Sequence, residues 1–371
     1  MTTIKNTPDP QTAAFIGIDL GDTKHAICIT DKLGKIIAEY SIPNTRKQIE
    51  KLALEYPKAL FAMEVGTHSP WISRQLQKHG LEVIVANARK LRAIYTNERK
   101  SDLLDARMIA KLARVDPDLL YPIYHCSEDT QTDFLTIKMR NTLVEQRVNI
   151  VNAIRGSLKA LGIRIPQATT VGITNVARPY LEKHHPEALP SMTPMLDILD
   201  ELKAKIKQFD KSIDQIIATK YEAAQLIQQI GGVGPITALT FVLTIERAER
   251  FENPRDVGAY IGLVPRRDQS GNTDKELPIS KTGSRYLRKL LVQCAQYNLG
   301  HFGQDSDLRR YGENIYLTRN AKNSNGKKGS RAAKRKAVIA VARKLSVLML
   351  TLWQRECNYE PLLNANKNKA A

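Results

Sequence analysis

Asp102 and Asp105 stand three residues apart in ERKSDLLDARMIAKLAR, residues 98–114. On a helix, positions i and i+3 share a face, so both carboxylates could reach one divalent cation. A structural reading stands beside that one: acids near a helix start favour the macrodipole, and Ser101 is of the N-capping type. Arg99, Lys100, Arg107, Lys111 and Arg114 surround the pair. On the metal reading they offset its charge and face nucleic acid. Two more acids close apolar runs, Asp19 in FIGID and Glu64 in LFAME. A carboxylate at a strand end is costly to bury without a partner. A pair of Mg²⁺ ions would satisfy all four acids, and such a site holds the attacking and leaving oxygens of a phosphoryl transfer. Taken singly, Asp19 also reads as a turn cap before Gly21, and Glu64 as a solvent-facing strand end before Gly66.

The elements that must position these acids follow from the pattern around them. FIGID, HAICIT and IIAEYSI read as three successive strands separated by the turns LGDTK and DKLGK. NTRKQIEKLALEY is an amphipathic helix, LFAMEV a buried strand, SPWISRQLQKHG a helix closed by Gly80, and LEVIVAN a further strand. Hairpins first, then strands alternating with helices, predict an α/β domain with a mixed sheet over 15–125, after a polar, disordered lead over 1–14. From 126 to 222 the texture is helical. Val144, Val148, Val151, Leu158 and Leu161 recur at steps of three and four or their sum. Leu199, Leu202, Ile206, Phe209, Ile213 and Ile216 form a heptad seam. Two such helices pair with each other in a hairpin or between subunits. From 223 to 355 the chain predicts two apolar helices broken at GGVG, then a helix, a loop, a longer helix and a basic loop entering a last helix. Residues 356–371 form a tail.

Composition narrows the partner. The 371 residues carry 56 Lys and Arg against 38 Asp and Glu, a formal charge of +18. Lys and Arg bind phosphates by releasing condensed counterions, so the bias points to a polyanion. A membrane-surface role would call for an amphipathic anchor or lipidation signal, and none is found. The start MTTIKNTPDP has no apolar signal core, and PITALTFVLTI and SVLMLTLW are too short to span a bilayer. The cysteines at 28, 126, 294 and 357 form no CxxC pair, which argues against zinc and against a disulfide framework and places the chain in a reducing cytoplasm. GIDLG also opens actin-like ATPase domains, but neither a GxxxxGK[ST] motif nor a second Gly-rich phosphate turn accompanies it.

The order and spacing of Asp19, Glu64 and Asp102-x-x-Asp105 resemble the DEDD-type insertion-sequence transposases (family IS one-ten), relatives of the pilin-gene inverting recombinases. The likeness runs from about residue 15 to about residue 350. RNTLVEQRVNIVNAIRGSLKALGI resembles the first middle helix of that family, IGGVGPITA its helix-hairpin-helix, and GLVPRRDQSGNTDKELPISKTGSRYLRKLL its C-terminal transposase signature. The resemblance implies an N-terminal RNase H-like fold of the Holliday-junction resolvase (RuvC-like) kind over 15–125. It implies coiled-coil-like helices over 126–222 and a helical transposase domain over 223–355 with a serine nucleophile. Matched residue by residue, that serine is Ser270 in PRRDQSGN. The family forms a covalent phosphoserine link to DNA, and a structured bridge RNA from the element's own non-coding end can specify donor and target DNA.

The residues around Ser270 give the match some independent support. Arg266 and Arg267 precede it, and guanidinium groups bind phosphate bidentately. Gly271 follows, and Ser-Gly is also common turn punctuation. Ser280 and Ser284 are rivals in ISKTGSRYL, but they read better as helix N-terminal residues, with Lys281, Arg285 and Arg288 on backbone phosphates. A serine hydroxyl needs activation, which the metal site or Asp268 would supply. Gly232 and Gly234 of GGVG either bring backbone N–H groups to a phosphate or simply turn the chain between helices. Lys327, Lys328 and Arg331 head a basic tail suited to nucleic acid.

The expected function is therefore that of a transposase or site-specific recombinase. Mg²⁺ is held by Asp19, Glu64, Asp102 and Asp105, Ser270 is the nucleophile, DNA and a bridge RNA are the partners, and a dimer or tetramer is the working form. Two alternatives keep their own signatures. A Mg²⁺-dependent junction nuclease using water tolerates Ser270→Ala but not Asp102→Ala. A non-enzymatic RNA- or DNA-binding protein tolerates loss of all four acids.

Overall fold

The computed structural model describes residues 14–94, 101–271, 273–323 and 331–364. Arg99, Lys100, Lys327, Lys328 and the lead over 1–13 lie outside the described residues. The chain forms two compact units that divide between Cys126 and Ser127.

The first unit is built on a five-stranded sheet in the order β3-β2-β1-β4-β5. Its strands are β1 (Phe15–Asp19), β2 (Lys24–Thr30), β3 (Ile36–Pro43), β4 (Leu60–Glu64) and β5 (Val83–Ala86). β1 to β3 pair antiparallel, and β4 and β5 run parallel to β1. The mixed sheet read from the sequence is thus present, in an order consistent with an RNase H-like domain. One face packs on α1 (Arg46–Glu55) and α2 (Ser69–Lys78), where Ile49, Leu52, Ile72 and Leu76 meet Ile16, Ile18, Phe61 and Met63. α3 (Ala88–Ile94) follows β5. The opposite face carries α4 (Asp102–Val115), whose Ala106 and Ala110 pack on Ala26 and Cys28, and whose Ile109 and Ala113 pack on Ala62 and Ile84.

Small residues let α4 approach the sheet this closely. A β-carbon on Gly17 would collide with the Ala106 carbonyl oxygen and lie 2.6 Å from the Ala110 nitrogen. A fork-to-fork pair then fixes the helix against the sheet: Arg107 Nε and Nη2 donate to Glu39 Oε1 and Oε2 of β3 at 2.8 and 2.7 Å. Arg107 holds the Glu39 carboxyl below its ordinary range. Burial, with Glu39 alongside, pushes the Cys28 thiol up to about 12, so that thiol is a packing group rather than a nucleophile. The expectation that Arg107 faces nucleic acid is corrected here, because its guanidinium is spent on Glu39. Arg114 likewise packs over the Gly34 turn.

The second unit opens with an antiparallel pair of long helices, α5 (Glu128–Ala160) and, after α6 (Ile173–His184), α7 (Leu189–Lys220). Of the two arrangements read from the heptads, the described chain contains the hairpin. Leu199, Ile206 and Ile213, seven residues apart, are buried within it, while Leu202, Phe209 and Ile216 are half-buried. On α5 the seam falls differently from the expected one. Val151 and Leu158 are buried, but Val148 is 37% and Leu161 70% exposed, and Ile137 and Ile154 take their places. The buried Ile137, Val151 and Leu158 keep to multiples of seven residues, Val148 falls beside that stripe, and Leu161 lies beyond the end of the helix. Arg140 Nε donates to Asp210 Oδ1 at 2.9 Å, and at the base the 6%-exposed Asp133 accepts from Lys220 Nζ and the Tyr221 hydroxyl at 3.0 and 2.8 Å.

The base of the hairpin joins the largest core. It is formed with α8 (Glu222–Ile227), α9 (Pro235–Ile245), α10 (Val257–Tyr260), α11 (Arg285–Asn298), α12 (Asp307–Asn323) and α13 (Arg331–Arg355). α13 is, by length and composition, long and apolar enough to cross a membrane, which the short apolar stretches of the sequence had not suggested. Half of that window is buried in this core, with Val341, Leu345 and Met349 fully enclosed. α12 is a helix that the sequence pattern did not announce, because its apolar residues follow no clear face.

Candidate functional site

The acids come first. β1 and β4 pair in parallel through Ile18 and Met63, so Asp19 and Glu64, one residue further on each, sit side by side at the carboxyl edge of the sheet. α4 crosses β1 at Gly17 and begins at Asp102, which brings its first turn to the same edge. Ser101 occupies the N-cap position with extended backbone, φ −150° and ψ 132°, but its side chain makes no capping hydrogen bond. The capping account of the quoted segment is to that extent weakened.

Asp19 registers the assembly. Its pKa is raised from 3.8 to about 6, first by burial and then by the charges of Asp105, Asp102 and Glu64. Four carboxylates thus act within one field. They do not close to ligand spacing: among the described residues no group of three or more His, Cys, Asp or Glu side chains is placed to hold a metal ion. As donors these oxygens are of the type that Mg²⁺ takes.

Ser270 lies in the second unit, and its setting corrects the loop expected there. PRRDQSGNTDKELPI holds a two-stranded antiparallel ribbon, β6 (Pro265–Ser270) and β7 (Thr273–Ile279), with Gly271 after β6 at φ +52°. The signal was present: Gly-Asn between two short runs is a hairpin turn. It was masked because the runs do not alternate apolar with polar, and the ribbon is largely exposed. Register sorts the side chains. Ser270 pairs with Thr273, Asp268 with Lys275 and Arg267 with Glu276. Opposed residues point to one side and neighbours alternate, so Ser270, Asp268, Thr273 and Lys275 share a face. Arg267 belongs to the other face and lies 3.6 Å from Asp274. Lys275, which the sequence pattern did not single out, is a cation on the face of Ser270. Arg266 is exposed beside the irregular pairing at Pro265/Arg267.

The rival serines are structural here. Ser284 Oγ caps α11 by accepting from the Leu287 N–H at 3.2 Å, and Ser280 Oγ lies 3.1 Å from Thr282 Oγ1. Lys281 is exposed in a turn with φ +57°, a left-handed conformation that a lysine adopts only when its surroundings impose it. Arg285 is exposed at the start of α11. Arg288, expected on phosphates, instead donates to the carbonyls of Ile261, Thr282 and Gly283 and builds the turn. In GGVG, Gly232 has φ +81°, and a β-carbon there would stand 2.5 Å from the Tyr297 ring. Asn298 Nδ2 donates to the Gly231 carbonyl at 2.9 Å. Gly234 precedes α9, and the turn borders an open cleft of about 500 Å³ with Gln228, Gln293 and Tyr297. Arg331 is exposed at the first residue of α13.

Comparison with known proteins decides what this constellation belongs to. A DEDD transposase model of the IS110 type matches residues 16–163, and the model described as the transposase IS116/IS110/IS902 family matches residues 224–311. The chain belongs to this transposase family. It is 28% identical over 313 residues to the transposase for insertion sequence element IS1328 of Yersinia enterocolitica, covering 83% of this chain and 91% of that one. It is 26% identical over 361 residues to the transposase for insertion sequence element IS1111A of Coxiella burnetii, covering 93% and 91%. A probable family 20 transposase of Pseudomonas aeruginosa is 25% identical over 356 residues, covering 93% and 98%. In this insertion-sequence transposase the first family match spans the four acids and the second spans the serine ribbon.

Proposed function

We propose that this transposase cuts and rejoins DNA through a phosphoserine intermediate on Ser270, with a divalent-metal site at Asp19, Glu64, Asp102 and Asp105. The observation that carries the reading is the placement of Asp19 beside Glu64 at the carboxyl edge of the sheet with the first turn of α4 brought to it; the raised pKa of Asp19, from burial first and then from the three other acids, agrees with it. Four carboxylates gathered at one sheet edge cost stability unless a cation or function offsets them. When bound, Mg²⁺ at this quartet would polarise the scissile phosphate and offset developing charge.

The remaining steps belong to the chain's own groups. The Ser270 oxygen bonds to phosphorus, the bond from phosphorus to the 3′ oxygen breaks, and the strand leaves as a 3′-hydroxyl after that oxygen takes a proton from solvent. The serine proton passes to Asp268 or to solvent, and Lys275 on the same face holds a non-bridging phosphate oxygen. After strand exchange a 3′-hydroxyl attacks the phosphoserine, and Ser270 leaves with a proton regained. The bond energy is kept in the link, so no nucleotide triphosphate is consumed. Lys281, Arg285, Arg331, Arg266, Gly232 and Gly234 hold nucleic-acid backbone, joined by Lys327 and Lys328. A bridge RNA from the element's non-coding end selects the DNA, and a dimer or tetramer in the cytoplasm does the exchange.

Covalent trapping tests this reading. Purified protein, RNA transcribed from the flanking non-coding DNA, Mg²⁺ and labelled element-end DNA are mixed and denatured. A protein-linked strand that disappears in both Ser270→Ala and Asp102→Ala is the expected result. Free cleaved ends with no adduct, retained in Ser270→Ala, would replace it with a nuclease that uses water.

A further inference from the structure

The carboxyl edge that carries Asp19 and Glu64 also carries a second polar cluster, which the four-acid site does not use. Three residues beyond Asp19, the turn into β2 presents Asp22; four residues beyond Glu64, the turn into α2 presents His68. His68 Nε2 lies 3.0 Å from Asp22 Oδ1. On its other side, Trp71 Nε1 donates to His68 Nδ1 at 3.3 Å. An indole nitrogen can only donate, so Nδ1 accepts and the imidazole proton of neutral His68 sits on Nε2. Trp71 is itself held from behind, with the Arg46 guanidinium 6.0 Å from its ring centroid. The buried His25 ring stands edge-on to His68, with centroids 6.4 Å apart. The result is an N–H donor of fixed direction at the edge where the acids gather.

Its present acceptor does little for stability. The Asp22 side chain is 95% exposed and that of His68 25%. A contact so open to water contributes little to folding. An oriented donor whose anionic partner among the described residues is a solvent-exposed carboxylate is suited to exchanging that partner for another anion.

We propose that His68 is a phosphate-binding residue of the metal-site edge, and that Asp22 stands in for a DNA phosphodiester until the strand arrives. The ligand chemistry is a non-bridging phosphate oxygen accepting from Nε2–H. The inference rests on the DNA-cutting reading above and adds to it a contact and an internal competitor. Asp22 then has two effects that a structural residue would not have. It lowers affinity for DNA, and it does so only while His68 is present to be competed for.

A double-mutant cycle on the full-length protein tests this. The affinity for a fluorescein-labelled element-end duplex, with the flanking-DNA transcript and with Ca²⁺ in place of Mg²⁺ to prevent cutting, is measured for the parent, Asp22→Ala, His68→Ala and the double variant. His68→Ala is expected to weaken binding by about tenfold, the loss of one charge-assisted hydrogen bond. Asp22→Ala is expected to tighten it several-fold, and the tightening is expected to vanish in the His68→Ala background. His68→Gln, whose amide N–H reaches the same place, is expected to restore most of the affinity, which separates a lost donor from a damaged fold. Unchanged binding in His68→Ala, or equal tightening by Asp22→Ala in both backgrounds, overturns the proposal, since the second result is a long-range charge effect. Strand cutting by the parent and by Asp102→Ala, run in Mg²⁺ on the same preparations, reports on the metal-site reading independently.

Discussion

Gly17 of β1 lies directly under Ala106 of α4, with no room for a single added carbon between them. This contact sets the height of α4 above the sheet, and with it the distance of Asp102 and Asp105 from Asp19 and Glu64. Gly17→Ala must push the helix outward. The expected cost is about 1–3 kcal/mol of stability, typical of overpacking. The same change moves two acids away from the other two, so strand cutting should fall further than the lost stability explains. Urea denaturation alongside the cutting assay checks both; full cutting in a destabilised Gly17→Ala would show that α4 does not need this height.

Asp19 predicts a pH signature for the protein without divalent metal. Its folded pKa, about 6, lies above the ordinary 3.8, so the folded chain binds this proton more tightly than the unfolded chain. Ionised Asp19 therefore costs stability above pH 6, and the cost disappears as pH falls through that value towards 4. His25 and His125 act in the opposite sense. Burial lowers both, so the unfolded chain takes up their protons first and stability is lost as pH falls through 6.5. Asp19→Asn separates the two effects. In chelator the variant should be more stable than the parent at neutral pH, and the difference should close below about pH 4. A difference that does not change with pH would remove charge repulsion as its cause.

The ribbon predicts unequal roles for Lys275 and Arg267. Lys275 shares the face of Ser270, whereas Arg267 lies on the opposite face beside Asp274. Lys275→Ala should slow adduct formation by about a hundredfold, in line with loss of one charge-stabilising donor, and Arg267→Ala by much less. Rates of adduct formation under single-turnover conditions distinguish them. The reverse order would mean that the ribbon meets DNA with its other face.

Asp133 predicts a point at which the second unit is sensitive to substitution. Its carboxylate is buried and holds both Lys220 and the Tyr221 hydroxyl at the junction of α7 with α8. Asp133→Ala leaves the Tyr221 hydroxyl without its acceptor while the half-exposed Lys220 ammonium turns to water, at a cost of about 1–3 kcal/mol. Asp133→Asn, which keeps an acceptor oxygen, should lose less. Thermal unfolding ranks the two, and equal losses would assign the effect to packing alone.

Much of the first unit was legible because its strands are short apolar runs between turns, and a period of two survives any packing partner. All five strands lie where the pattern puts them. The four acids were legible as types at strand and helix ends. The ribbon was not, because an exposed two-stranded element buries neither face and so leaves no alternation to read. α12 escaped because its buried face is made by Leu308 and Gly312 rather than by a row of large apolar residues, and the α5 seam was misplaced at Val148, beside the buried stripe, and at Leu161, past the helix end.

The sequence by itself determined the chemistry on offer: carboxylate oxygens, a serine in a polar segment, and excess positive charge for a polyanion. These depend on residue type and order along the chain. Only the tertiary structure decided which groups act on which. It took Arg107 and Arg288 out of the nucleic-acid surface by giving them Glu39 and three carbonyls. It put Lys275 rather than Arg267 on the face of Ser270, and it fixed the proton of His68 through Trp71. Direction and partnership come from register and packing, and neighbours in space such as Asp19 and Glu64, or Gly17 and Ala106, are far apart in the chain.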